Sequence, residues 1–288
     1  MKVLITGANG FVGKSISNFL NQTDNIEVIA YGRDKLNLLD YDNVKRVTED
    51  IKPNAIVHCA IKGGTRMDVD TQSTCDDNLL MYKNLKSCRS NFESLINIAS
   101  GAEFDRKFDI NREVEESLTK RSPNDFYGKA KNLISQDVLM TDQFYNLRIF
   151  GCFGPLETES RLLKSTFKRM SNDERITIEN DREMDFVHVD DLARTIHFYL
   201  KNAENEKALE KDVNVVYSDK MRVSEIVKNF ISCSGKDQKI DVISTSSLNY
   251  TGSHEKLEKL RISSLSGSSL KKSIAKYYNE LIDNQGDL

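Results

Sequence analysis

Short apolar runs recur along the first half of the chain, separated by stretches of helical periodicity. The apolar runs are Lys2 to Thr6, Asn25 to Tyr31, Ala55 to Cys59, Leu95 to Ala99 and Asn146 to Phe150. The helical stretches are Tyr41 to Lys52, Asn78 to Ser90 and Phe126 to Thr141, the second with Leu79, Leu80, Met81 and Leu85 along one stripe. Strands of continuous apolar character are buried on both faces, and their alternation with helices makes the sheet parallel. The pattern predicts an α/β fold, a doubly wound parallel sheet whose ligands bind at the carboxyl ends of its strands.

The first strand breaks into three glycines, Gly7, Gly10 and Gly13, before a helical pattern resumes. A helix that starts on a glycine turn aims unpaired N–H groups and its positive dipole end at whatever lies above, which suits a pyrophosphate. Gly7 allows the turn, Gly10 the approach of the anion, and Gly13 the packing of helix on sheet. Gly13, Lys14 and Ser15 also spell the end of a P-loop, but Ala8 stands where that motif needs glycine, and Phe11 and Val12 are too apolar to cradle phosphates. A glycine-rich turn without a ligand is the structural alternative.

Beyond Phe150 the alternation loosens. Arg106 to Asp125 reads as a long loop around Pro123. Helices are expected at Arg161 to Met170, Leu192 to Leu200, Val223 to Ser232 and Leu270 to Ile282, and strands at Ile176 to Ile178, Asp185 to Val189, Val213 to Tyr217 and Ile240 to Ile243. The expected organisation is a dinucleotide-binding domain over residues 1–150, to which 185–217 return, and a smaller α/β substrate domain built from 151–184 and 218–288.

Composition narrows the function classes. Of the 288 residues 39% are hydrophobic and 30% charged, and a net charge of -3 leaves no footprint for nucleic acid or an anionic membrane. Five scattered cysteines without a CxxC pair indicate neither a disulfide framework nor a zinc site. No apolar run is long enough to span a membrane, and the first strand lacks the h-region of a secretory signal. The expectation is a cytoplasmic protein with reduced thiols, folded from Met1 onward.

Tyr127 and Lys131 sit four apart on a predicted helix, where an ammonium can stabilise a phenolate. Tyr31 with Lys35, Tyr41 with Lys45 and Tyr82 with Lys86 share the spacing, so spacing alone describes a surface pair. Tyr127 differs in opening the helix after the fourth strand, and Ser100 lies just past that strand's carboxyl end. At the end of strand two, Gly32 stands where NAD-selective folds place an acid, and Arg33 beside it favours a 2′-phosphate, although Asp34 follows. An exposed loop arginine is the alternative. His188, Asp190 and Asp191 suggest a metal only superficially: a carboxylate of Asp190 or Asp191 capping a helix from Leu192 suffices, and no metal is expected. His58 is read as structural too.

The three-and-three glycine spacing with Ser100, Tyr127 and Lys131 in this order resembles the extended short-chain dehydrogenase/reductase family, which carries a Rossmann domain. Arg33 to Asp40 (RDKLNLLD), Ala60 to Gly64 (AIKGG), Asn78 with Asn84, and Phe186 to Ala193 (FVHVDDLA) resemble the GDP-L-fucose synthases within it. The resemblance implies that Tyr127 exchanges a proton with a substrate oxygen, Lys131 lowers its pKa and holds the nicotinamide ribose, and Ser100 orients the substrate. It implies cofactor contacts from Gly7, Asn9, Gly10, Phe11, Val12, Gly13, Arg33, Asp40 near the adenine, Ala60, Tyr127 and Lys131. The implied cofactor is NADP rather than NAD, and the implied substrate a nucleotide sugar. The implied assembly is a homodimer through a four-helix bundle of Asn78 to Ser90 and Phe126 to Thr141.

Fucose synthases pair a Cys and a His to epimerise the sugar, and Ala102 and Arg161 stand at those positions. Neither shuttles a proton. Gly101 and Ala102 also replace the Asp-Glu pair of the dehydratases. The lead expectation is NADPH-dependent reduction of a 4-keto nucleotide sugar for surface polysaccharide. An NAD-dependent 4-epimerase and a catalytically silent NADP-binding sensor are the alternatives.

Overall fold

The computed structural model describes residues 1–65, 69–203, 209–236, 238–245 and 247–286. Its first half runs β1 (Lys2–Thr6), α1 (Phe11–Leu20), β2 (Glu27–Tyr31), α2 (Tyr41–Ile51), β3 (Ala55–His58), α3 (Gln72–Ser87), β4 (Ser94–Ser100), β5 (Ile110–Glu113), α4 (Phe126–Leu139) and β6 (Phe144–Ile149). Then follow β7 (Cys152–Phe153), α5 (Leu162–Ser171), β8 (Ile176–Asn180), β9 (Val187–His188), α6 (Val189–Lys201) and β10 (Asp212–Asn214). The chain ends with α7 (Val223–Ser232), β11 (Ile240–Ser244), β12 (Tyr250–Gly252), α8 (Glu255–Lys259) and α9 (Leu270–Gly286).

Six strands form one parallel sheet in the order β10-β6-β4-β3-β1-β2. Successive strand residues point to opposite faces, so a continuously apolar strand feeds two cores. Val3 and Ile5 pack with Ile16 and Leu20 of α1 and Leu192 and Ile196 of α6. Leu4 between them packs with Val44, Val47, Leu85 and Val138 from α2, α3 and α4 on the other face. Each fully buried aliphatic side chain contributes roughly 1.5–3 kcal/mol. The chain leaves β1 for the edge strand β2 and returns across it to β3, so the order reverses between β1 and β3, where ligands bind in such sheets.

Beyond the sheet stand three short parallel pairs, β12 with β5, β11 with β8 and β7 with β9. The β8–β11 pair, covered by α5 and α7, makes a small α/β layer of its own. Its core joins that of the α1/α6 face without a break and continues to Ile274, Tyr277 and Leu281 of α9. No helix among the described residues is long and apolar enough to cross a membrane.

Two local expectations need correction. Arg106 to Asp125 is not a plain loop: it holds β5 and a 3-10 helix, Glu115–Thr119. The partner of β5 is β12, some 140 residues later, so no local pattern announces it. Helix α6 begins at Val189 rather than Leu192, and its cap is the His188 ring, whose Nδ1 accepts the Asp190 N–H at 3.2 Å, instead of Asp190 or Asp191.

Candidate active site

The turn after β1 is a cradle built by contact. Gly7 has φ +66°, and a Cβ there would sit 2.7 Å from the Ala60 backbone. Ala60 is pinned in turn, its N–H donating to Thr6 Oγ1 at 3.3 Å while the Thr6 hydroxyl meets His58 Nδ1 at 2.9 Å. Gly10 is the N-cap of α1, with no side chain capping the helix and no acidic residue in its first turn. The first N–H groups of α1 therefore face the cleft at the positive end of the dipole. These features fit the pyrophosphate of a dinucleotide. Asn9 reaches from the turn toward the end of β2, where its Nδ2 lies 3.5 Å from Asp34 Oδ1. Arg33 is exposed beside them, and Asp40 caps α2 by accepting the Asn43 N–H at 3.1 Å.

Ser100 ends β4 and caps a 3-10 turn, Gly101–Phe104. Helix α4 starts against that turn because Gly128 has no side chain: a Cβ there would lie 2.6 Å from the Ala102 carbonyl oxygen. Asp125 caps α4, accepting the Gly128 N–H at 2.7 Å. This docking brings Ser100, Tyr127 and Lys131 together, all buried. The Ser100 hydroxyl works to lower the pKa of the Tyr127 phenol, yet burial dominates and pushes that phenol up to about 12. Lys131 Nζ donates to the Ile98 carbonyl at 2.7 Å, and burial pulls its pKa down. The geometry thus presents a protonated phenol, a proton donor, rather than a preformed phenolate. Gly64, at φ +76°, lays its backbone against the Tyr127 ring.

Two further residues meet at this point, which the order of elements did not reveal. Tyr250 on β12 is buried, stacks edge-on against Phe150 at 5.1 Å, and, like Tyr127, lies where the Ser100 hydroxyl works to lower its pKa against the larger effect of burial. Arg106 pairs with Asp125 at 2.8 Å and places its positive charge toward both phenols. Behind Ser100, Glu103 accepts its backbone N–H at 2.8 Å.

The positions that depart from the fucose synthase pattern are equally definite. Ala102 is buried in the 3-10 turn. Arg161 caps no N–H; its guanidinium donates to the Cys152 carbonyl at 2.8 Å and to Glu157 at 3.1 Å and lies 5.8 Å from the Phe11 ring centroid. Burial raises the Cys152 thiol to about 12, and Lys62 pairs with Asp77 at 2.5 Å. His58 is kept neutral, pushed down to about 3 by burial and by Lys131. His188, Asp190 and Glu280 cluster, but both ring nitrogens are committed, Nδ1 to the Asp190 N–H and Nε2 to Glu280 at 3.0 Å, with Lys276 bridging the carboxylates.

Known proteins bear on this site. A family model described as the NAD dependent epimerase/dehydratase family matches residues 3–215. Protein CapI of Staphylococcus aureus is 25% identical over 238 residues, covering 70% of each chain. Among solved structures, a GDP-L-fucose synthetase from Naegleria fowleri bound to NADP superposes with a TM-score of 0.80 at 18% identity, over 99% of this chain and 93% of that one. The GDP-mannoheptose C4 reductase MlghC from Campylobacter jejuni, with NADP bound, superposes with a TM-score of 0.78 at 18% identity, over 96% and 97% of the chains. With its parallel six-stranded sheet and glycine cradle, the chain belongs to the NAD dependent epimerase/dehydratase family and is an NAD(P)-dependent enzyme of the extended short-chain dehydrogenase/reductase type.

Proposed function

We propose that the protein reduces the C4 ketone of a 4-keto deoxy nucleotide sugar with NADPH, in the supply of surface-glycan precursors. The observation that carries the reading is the buried Tyr127 on the helix docked against the Ser100 turn, combined with Ala102 and an Arg161 bonded to Cys152 and Glu157 where an epimerase needs a base and an acid. Tyr127 gives its proton to the oxygen of the ketone as it becomes a hydroxyl, and Ser100 donates a hydrogen bond to the same oxygen. Lys131 stabilises the resulting phenolate and binds the nicotinamide ribose. The reduced nicotinamide supplies the hydride. The reading also draws on the fold shared with the C4 reductase of Campylobacter jejuni.

In this reading the backbone of the turn through Gly7, Asn9, Gly10, Phe11, Val12 and Gly13 binds the pyrophosphate while the Phe11 and Val12 side chains pack, Arg33 binds the 2′-phosphate, Asp40 approaches the adenine and Ala60 lines the cleft. The sugar nucleotide enters from the side of residues 151–184 and 218–288. The enzyme works in the cytoplasm as a homodimer through α3 and α4, on which Leu80 and Leu133 are exposed.

The test is a screen of 4-keto sugar nucleotides with NADPH, followed by its absorbance. Tyr127→Phe removes the phenolic proton with little volume, so NADPH still binds while turnover falls by about 10²-fold or more. If no 4-keto sugar nucleotide is turned over, and NADP instead changes the affinity of a protein partner, the reading is replaced by that of a sensor.

A further inference from the structure

Behind the serine lies a ladder of ionisable side chains closed off from water. Glu103 and Arg148 are 0% exposed and Asp212 is 4% exposed. Arg148, on β6, donates from Nε to Glu103 Oε2 at 2.9 Å, from Nη2 to Asp212 Oδ2 at 3.0 Å and from Nη1 to Asn214 Oδ1 at 3.1 Å. Its guanidinium also stacks 4.8 Å from the Phe104 ring centroid. The other Glu103 oxygen, Oε1, accepts the Ser100 N–H, and the Glu103 carbonyl accepts Asn132 Nδ2, next to Lys131 on α4. Such an assembly is no economical route to stability, because well-packed apolar residues of similar volume often serve as well or better.

Its charge has a use one step further on. Lys131 is bonded to a neutral carbonyl, so its ammonium needs a counter-charge in a dry site. The groups that face it are few. From β3 and the residue after it come His58 and Cys59, and both are neutral near pH 7, since burial pushes the ring down to about 3 and the thiol up to about 12. Among the described residues Glu103 is the carboxylate beside Lys131: Lys131 Nζ meets the Ile98 carbonyl and Glu103 Oε1 meets the Ser100 N–H two residues on along β4, and Glu103 is the leading influence that opposes the effect of burial on Lys131. Burial pushes the Glu103 carboxyl up, and the Arg148 guanidinium at 2.9 Å and the Ser100 N–H at 2.8 Å act against it, both favouring the carboxylate. Asp212 balances Arg148, and Glu115 lies further out, near Lys256. Tyr127 is faced by Ser100, Glu103, Arg106 and Asp70.

We propose that Glu103 is a positioning residue that serves catalysis through its charge: anchored by Arg148, it fixes the backbone of Ser100 and is the counter-ion of the Lys131 ammonium. The inference rests on the reductase reading for its consequence in turnover but not for its physical content. The ammonium exists below the pKa of Lys131 and is lost as pH rises, so removing a neighbouring negative charge brings the loss to lower pH. The same change makes Tyr127 easier to ionise, and both effects move the alkaline limb of ketone reduction downward.

Glu103→Gln keeps an oxygen for the Ser100 N–H and removes the charge. The Lys131 Nζ resonance of the whole chain labelled with 15N-lysine, with and without NADP, is assigned by its disappearance in Lys131→Met. In Glu103→Gln it changes from ammonium to amine about one pH unit lower, a tenfold loss of proton affinity at the low end of what an opposite charge produces. The triple variant Glu103→Gln, Arg148→Gln, Asp212→Asn strands no charge and decides the matter if the single one does not fold; it moves the titration the same way. The alkaline limb of kcat follows. An unchanged Lys131 titration in a folded variant overturns the proposal whatever the turnover. A shifted titration in a protein that reduces no 4-keto sugar upholds it and refutes the reductase reading instead.

Discussion

His58 makes the pH dependence of stability measurable at the cofactor cradle. Its ring is buried under the Gly7 turn and bonded to the Thr6 hydroxyl, and its pKa drops from 6.5 to about 3, first through burial and then through Lys131. The folded protein therefore refuses a proton that the unfolded chain accepts. The stabilisation is complete above the unfolded value and is lost as pH falls toward the folded one. At about 1.4 kcal/mol per decade the bound in strong acid is roughly 5 kcal/mol, and between about pH 7.5 and about pH 5 the loss is about 2 kcal/mol. His58→Asn offers Thr6 an acceptor oxygen near the place of Nδ1 but no titrating group. Urea unfolding at the two pH values should show the variant losing about 2 kcal/mol less than the unmodified protein. The same pH dependence in both would refute the reasoning and show that the buried imidazole does not titrate on unfolding.

Arg148→Met leaves Glu103 and Asp212 buried without their cation, and should lower unfolding free energy by about 3–5 kcal/mol, measured in urea; a loss below about 1 kcal/mol would mean that the ladder is not closed. Arg33→Ala should remove about 1.5–3 kcal/mol of NADPH binding, roughly 10- to 150-fold, and spare NADH, as read by nucleotide fluorescence. Equal affinity of the unmodified protein for both cofactors would count against any role of Arg33. Sedimentation should show a dimer at micromolar concentration, and a monomer would remove α3 and α4 as an interface.

The sheet was legible because its signal is local. The run at β1 and the helical stretch of α2 appear within a residue or so of their observed ends, and Val223–Ser232 forms as the periodicity predicts. Of the candidate site, the glycine turn was legible in the spacing, but Ser100 with Tyr127 only through the order of elements and a family resemblance. Less legible were polar residues buried by distant partners. Asn97 and Asn146, bonded to each other at 2.9 Å across β4 and β6, and Arg148 two residues on, look in sequence like interruptions of apolar strands. Asn146 is inside because α4 lies over it, its Nδ2 donating to the Ser135 carbonyl at 3.0 Å, and Arg148 because the turn after β4 brings Glu103 to it. Tyr250 arrives at Ser100 by way of the pairing of β12 with β5, which leaves no trace in any short window. Glu103 could have been suspected from its place three residues after Ser100, the spacing of a capping box.

The proposed reduction leaves the neighbouring carbons of the sugar unepimerised. Inverting a carbon beside a ketone needs a base to take its proton and an acid to return one from the other face. Ala102 has no such group, and Arg161 is permanently charged and held by Cys152 and Glu157. The most direct measurement is turnover of a 4-keto-6-deoxy sugar nucleotide with NADPH in deuterated water, with the product examined by NMR. The expected product is reduced and carries no deuterium at C3 or C5 beyond the enzyme-free control. Enzyme-dependent deuterium at either carbon would contradict this and require another acid/base, with Tyr250, Lys62 and Cys152 the first residues to substitute.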